Sequence, residues 1–195
     1  MGWLLGLVAF GTVSSITPGP NNVLLWASGA TFGTRRTLPH VLGTAAGIGS
    51  MALLAAAGLT VVLAAVPQLT IAMKAAGSIY LVWLAWRIAR SGGLDSTTAA
   101  RPLSVAQAAA FQAVNPKAWI FALGAVSTFR PTDIGPVLGT VMVAAVMVVT
   151  VIPCAWVWAA AGGGMAGLMD GARTARVVKV VLAVLVVVSI AIVWI

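Results

Sequence analysis

Apolar residues fill this chain in six long stretches, and short polar connections separate them. The stretches lie near residues 3–32, 38–63, 69–89, 104–128, 136–160 and 177–195. Each has about 20 residues or more, the length of a helix that crosses a bilayer. The pattern therefore predicts an all-α integral membrane protein with six transmembrane helices, forming a single transmembrane domain over residues 1–195.

Composition supports a bilayer as the solvent. Of the 195 residues, 61% are hydrophobic, and only 11 Lys+Arg and 3 Asp+Glu carry charge. A soluble domain has about 25% charged residues, so this chain could not cover a soluble surface. The net charge of +8 does not indicate nucleic acid as a partner, because the basic residues fall at the ends of apolar segments and form no single patch.

The basic residues are distributed unevenly between the two sides of the predicted membrane. Eight lie in the connections 1–2, 3–4 and 5–6, and only Arg130 lies on the other side. The eight are Arg35, Arg36, Arg87, Arg90, Arg101, Arg173, Arg176 and Lys179. Because cytoplasmic loops carry the excess of Lys and Arg, we expect both termini to be extracytoplasmic.

Two proline motifs interrupt the first and fourth stretches near their midpoints. The first is TPGPNN, from Thr17 to Asn22, and the second is NPK, from Asn115 to Lys117. Since three spans separate them, the two halves of the chain enter the membrane in opposite directions. We predict two inverted three-helix repeats, about 1–90 and about 104–195, with helices 1 and 4 broken at mid-membrane. Paired interruptions of this kind indicate the binding site of a transporter.

The first break has the chemistry of a zwitterion site. Pro18 and Pro20 free backbone carbonyls, which in hydrocarbon must find a donor. Those carbonyls suit an ammonium, and the amides that open the following half-helix suit a carboxylate. Asn21, Asn22 and Asn115 are either neutral groups of this site or helix caps and interhelical bonds.

Lysine and tyrosine add further candidates within the spans. Lys117 lies 11 to 13 residues from either end of its span, or roughly 16–20 Å, which is too deep for its ammonium to reach the interface. We expect its partner to be a backbone carbonyl, water or a substrate carboxylate. Lys74 could extend outward, and Tyr80 either bonds another helix or forms a cavity wall. Gly43 and Gly47 are spaced for close helix packing.

Other functions have less support in the residues. The spans contain no acid–base or nucleophile pair, so an enzyme is not expected. The alternative to an organic substrate is an ion or metal exporter on the same scaffold. A soft-metal site would need clustered Cys, Met or His, whereas Cys154 and His40 are isolated along the chain. No cofactor and no metal site are expected.

Three segments resemble the LysE/RhtB family of amino-acid exporters: TPGPNN, KAAGSIYLVWLAWRIARS and QAVNPKAWIFALGAVSTF. The combination is most similar to the cysteine/O-acetylserine exporter branch. The resemblance implies a bacterial inner-membrane secondary transporter that exports small amino acids or derivatives, of the cysteine, O-acetylserine, homoserine or threonine type. The two broken repeats predict alternating access as its mechanism. The glycine-rich faces of the helices permit a homodimer.

The resemblance assigns substrate-binding roles to motif positions in spans 1, 3 and 4. Where many relatives carry an aspartate after PGP, this chain has Asn21, so the spans have no embedded carboxylate to carry a proton. The coupling route is then Lys74, Lys117 or the substrate itself, or there is none. The predicted substrate-binding residues are Thr17, Pro18, Gly19, Pro20, Asn21, Asn22, Lys74, Tyr80, Asn115, Pro116 and Lys117.

Overall fold

The computed structural model describes residues 2–59, 65–90, 101–165 and parts of 176–190, and these residues are helical apart from short connections. The helices are α1 (Gly2–Ile16), α2 (Pro20–Phe32), α3 (Leu38–Leu54), α4 (Pro67–Arg90), α5 (Val105–Val114), α6 (Pro116–Phe129) and α7 (Pro136–Met165). A 3₁₀ turn over Arg35–Thr37 precedes α3, and a π-helical turn over Ala55–Leu59 extends it. The described ranges contain no β-strand, which confirms the all-α prediction.

Helix boundaries follow from local chemistry. Pro20 and Pro116 stand in the first turn of α2 and α6, where a missing N–H removes no helical bond. Helix α5 begins with a capping box, in which Ser104 and Gln107 each accept a hydrogen bond from the other's backbone N–H. Gly33, with φ of 82°, ends α2 in a conformation that favours glycine.

The helices are compatible with a membrane protein. Within the described part of the chain, Arg35–Gly58 and Pro136–Met165 are each long and apolar enough to cross a bilayer. Helices α1 and α2 meet this condition together, with a bend of 60° between them. Large apolar side chains, such as Leu5 and Val137, are exposed on the outer faces of the helices. The six-span, two-repeat arrangement remains a prediction.

Helix α7 is the centre of the packing, with α1, α2 and α3 against it, and α3 also packs against α5. Glycines bring two of these pairs close together. A Cβ on Gly162 would collide with the carbonyl of Trp26 in α2, and a Cβ on Gly43 would collide with the carbonyl of Val105 in α5. A Cβ on Gly47 would lie 2.9 Å from the Ala109 carbonyl oxygen. The prediction that Gly43 and Gly47 serve close packing is confirmed.

Candidate functional site

The first helix break covers residues 17–19, between α1 and α2, at the predicted position. Protein donors satisfy several of the carbonyls around it. The Nδ2 of Asn22 donates to the carbonyl oxygens of Ser15 and Thr17, at 2.8 Å each. The indole N–H of Trp158, on α7, donates to Ile16 at 3.1 Å. Asn22 therefore acts as a cap for the end of α1, one of the two roles expected for it.

The second break is a single residue, Asn115, between α5 and α6. Its φ of −89° and ψ of 104° are extended, so the helical hydrogen-bond ladder stops and restarts there. The carbonyl of Ala113 accepts the indole N–H of Trp119 at 2.8 Å, and the carbonyl of Asn115 accepts the amide of Ala118 at 3.0 Å. The break predicted at NPK is thus present, and a tryptophan caps each break.

Lys117 connects the two breaks. Its Nζ donates to the carbonyl oxygen of Thr17 at 2.6 Å and to that of Pro18 at 3.3 Å. An ammonium has three donors and no acceptor, so a pair of freed carbonyls is a suitable neutral partner. A backbone carbonyl was one of the three partners expected for Lys117.

A buried chain of carboxamides lies beside this contact. Asn21 Oδ1 accepts from Gln112 Nε2 at 2.9 Å and from the Thr44 hydroxyl at 3.3 Å. Gln112 Oε1 accepts from Asn115 Nδ2 at 3.2 Å. The chain joins α2, α3, α5 and the second break without any charged group. It leaves Asn115 Oδ1 buried with no hydrogen-bond partner, and the Ser15 hydroxyl is in the same condition.

These groups line one cavity. Its volume is about 50 Å³, counted as the space open to the centre of a water-sized sphere. Among the described lining residues none is acidic, and Lys117 is the cation. The polar side is formed by Ser14, Ser15, Gly19, Pro20, Asn21, Asn22, Thr44, Gln112, Asn115 and Lys117, and the apolar side by Ile48, Ala118, Phe121, Val151 and Ala155.

The structure brings together most of the predicted site residues. Thr17 and Pro18 contribute their carbonyls to Lys117, and Pro116 opens α6 beside the cavity. Lys74 lies half-buried on α4 and is not part of the described lining. Tyr80 is on the same helix, but its side chain lies outside the described residues.

Sequence reasoning missed two residues that hold the site together, Gln112 and Thr44. Both are buried, and Gln112 is only 1% exposed. The available signal was that each is a hydrogen-bonding side chain inside an apolar stretch, and Gln112 stands three residues before Asn115. Polar side chains inside a span face other helices or a cavity far more often than lipid.

Comparison with known proteins places these motifs in context. The sequence model of the LysE type translocator family matches residues 12–194. The cysteine/O-acetylserine efflux protein of Escherichia coli (strain K12) is 35% identical over 118 residues, which is 60% of this chain and 60% of that protein. The protein of the same name from Shigella flexneri gives the same values. The chain thus spans about 60% of the length of the curated relatives it matches. No solved structure matches it.

Proposed function

Because the chain belongs to the LysE type translocator family, we propose that it is a secondary transporter that exports small amino acids or their derivatives from the cytoplasm. Relatives that are 35% identical over the matched region are named cysteine/O-acetylserine efflux proteins. We propose substrates of that type, together with homoserine and threonine, which have the same zwitterionic head and a small side chain.

The cavity between the two helix breaks is the observation that carries this proposal. It offers neutral carboxamides from both breaks, and the Lys117 ammonium beside them contacts freed backbone carbonyls of the first break. A zwitterion carries one cationic and one anionic group, and it finds both kinds of partner here. The apolar side, with Ile48, Phe121 and Val151, gives a small side chain a place to pack.

Alternating access between inverted repeats is the proposed mechanism. The described packing supports this mechanism, because the broken helix of each predicted repeat packs against the following helix of the other repeat. The broken first span, α1 and α2, packs against α7 of the fifth span. The broken fourth span, α5 and α6, packs against α3 of the second span. We propose that the repeats rock around the cavity.

The proposed setting is the bacterial inner membrane, with both termini extracytoplasmic. The charge asymmetry of the loops supports this orientation. We propose no catalytic role. An ion or metal substrate is the alternative, and among the described residues no group of three or more His, Cys, Asp or Glu is placed to hold a metal ion.

Efflux from preloaded proteoliposomes tests the proposal. The panel is cysteine, O-acetylserine, homoserine, threonine, lysine and arginine, with zinc and cadmium for the alternative. We expect export of one or more small neutral amino acids, and a fall of about tenfold or more, equivalent to about 1.4 kcal/mol, for Asn115→Leu and Lys117→Met. Arg130→Met is the matched control, because it removes a cation at the end of the same helix α6, outside the cavity.

Two results would contradict the proposal. If the wild-type protein moves none of the amino acids, the function is wrong. If it moves them and both variants export at the wild-type rate while inserted in equal amounts, the site is wrong. Movement of metal alone would favour the alternative.

A further inference from the structure

Two carbonyls of the first break are already holding an ammonium. Lys117 Nζ lies 2.6 Å from the Thr17 oxygen and 3.3 Å from the Pro18 oxygen. An amino-acid substrate brings an ammonium of the same charge and the same donor number. These two carbonyls, beside the cavity that Gly19 and Lys117 line, are therefore occupied by the protein's own side chain.

Two described polar atoms of the lining have no hydrogen-bond partner, the Ser15 hydroxyl and Asn115 Oδ1, and of these only Asn115 Oδ1 is purely an acceptor. Asn115 is only 4% exposed, and its Oδ1 is buried without a hydrogen-bond partner. Its orientation follows from the carboxamide chain, because Asn115 Nδ2 donates to Gln112 Oε1, and Gln112 Nε2 donates to Asn21. A buried carbonyl oxygen without a donor is unfavourable, so this atom favours a ligand that carries N–H groups.

The position of the Lys117 side chain has the same implication. The side chain of Lys117 lies directly against the backbone of the break: a Cβ on Gly19 would be 2.9 Å from its Cδ and 3.1 Å from its Nζ. A substrate ammonium therefore reaches the carbonyls of Thr17 and Pro18 when the Lys117 side chain moves away from them.

We propose that Lys117 is a tethered stand-in for the substrate ammonium. Its ammonium fills the carbonyl pair of Thr17 and Pro18 when the transporter is empty. When substrate binds, the substrate ammonium takes this pair together with Asn115 Oδ1, and Lys117 turns to the substrate carboxylate. This inference rests on the proposed function and assigns the substrate class: a molecule that has both a free ammonium and a free carboxylate.

Selectivity follows from the exchange of partners. An amine without a carboxylate must displace the Lys117 ammonium and offers it no anionic partner in return. A tethered group competes at an effective concentration of the order of millimolar or more. Removing the Lys117 ammonium abolishes this competition, so amines should then bind better while amino acids bind worse.

A matched set of three probes tests the inference on the purified full-length protein. Cysteine has both groups, cysteamine lacks the carboxylate, and 3-mercaptopropionate lacks the ammonium. Dissociation constants are measured by calorimetry under a reducing agent. We expect the wild type to bind cysteine about tenfold or more tightly than cysteamine. In Lys117→Met we expect cysteine binding to weaken and cysteamine binding to tighten, each by about tenfold.

A second variant leaves the ammonium in place and only displaces it. The backbone of Gly19 is extended, with φ of −173°, so alanine is accommodated there and its methyl meets the Lys117 side chain. We expect Gly19→Ala to tighten cysteamine binding by about threefold or more. Gly164→Ala is the control, since a Cβ there meets nothing within 4 Å, and it should change neither affinity.

The outcomes separate this inference from the proposed function. The stand-in role is wrong if neither Lys117→Met nor Gly19→Ala tightens the binding of cysteamine. If the wild type still binds cysteine and exports amino acids in that case, the transport function is retained. If Lys117→Met does not fold, the result for Gly19→Ala decides alone. If the wild type neither binds the probes nor exports any amino acid of the panel, both the function and this inference are wrong.

Discussion

The hydrogen bond between Gln112 and Asn21 should measurably stabilise the fold, because it joins the two helix breaks over 91 residues of sequence. Gln112→Ala removes this bond, of 2.9 Å, and also the bond of 3.2 Å from Asn115. Interhelical hydrogen bonds in membrane proteins contribute about 0.6 kcal/mol on average and about 1.7 kcal/mol at most. We expect Gln112→Ala to lower the free energy of unfolding by about 1–3 kcal/mol.

A double-mutant cycle of Asn21→Ala and Gln112→Ala isolates the pair. We expect a coupling energy of about 0.6 kcal/mol, and below the maximum of about 1.7 kcal/mol, because the Thr44 hydroxyl remains as a second donor to Asn21 Oδ1. The measurement is equilibrium unfolding in mixed micelles, followed through the fluorescence of the chain's 8 tryptophans.

Gln107→Ala is the matched control for this cycle. Gln107 has the same carboxamide on the same helix, and its described side-chain bond is within the capping box with Ser104. Its coupling to Asn21→Ala should be zero within about 0.5 kcal/mol, the usual additivity error. If the Gln112 cycle gives no more coupling than this control, the carboxamide chain does not hold the two breaks together.

Three further predictions concern the helix breaks and the close helix contacts, and each is measured as thermal stability in detergent. Asn22→Ala removes the donor to two carbonyls and should destabilise the protein by about 1–3 kcal/mol. Asn22→Asp should not restore the lost stability, because a carboxylate cannot donate. Equal stability of the wild type and Asn22→Ala would refute the capping role. Trp158→Phe loses one indole bond and should destabilise by about 0.5–1.5 kcal/mol, with unchanged stability as the opposing result. Gly162→Ala forces a methyl against the backbone of α2 and should destabilise the protein by about 1–3 kcal/mol. Gly164→Ala is the control, because its methyl enters open space and should leave the stability unchanged. Similar stability of the two variants would contradict the close packing.

The two helix breaks could be predicted from sequence because their causes are local. A proline removes its own N–H and clashes with the preceding turn, whatever the rest of the chain does. Helix α2 accordingly begins at Pro20 and α6 at Pro116, as the motifs predicted. Close packing at Gly43 and Gly47 was also predictable from a local cause. Glycine has no side chain, so two glycines four residues apart on a helix let a neighbouring helix approach closely.

The carboxamide chain could not be predicted, because it depends on which faces of three helices meet. Gln112 belongs to α5 and Thr44 to α3, and their common partner, Asn21, lies on α2. Each residue alone is an ordinary polar side chain in an apolar stretch, with several possible partners. The glycines that bring α3 within contact of α5 decide which of those partners is within reach.

The contact of Lys117 was predictable in part. Its depth in the span follows from counting residues, and the same count shows that its ammonium must find a partner inside the protein. The first break has the opposite requirement, because its carbonyls must find donors inside the protein. A fold that kept these groups apart would leave both unsatisfied, at several kcal/mol for each carbonyl. The contact of Lys117 with Thr17, across 100 residues, satisfies both requirements at once. Two local defects of opposite polarity therefore favour their own long-range contact, and the substrate proposed above carries both polarities, which suits it to open this contact.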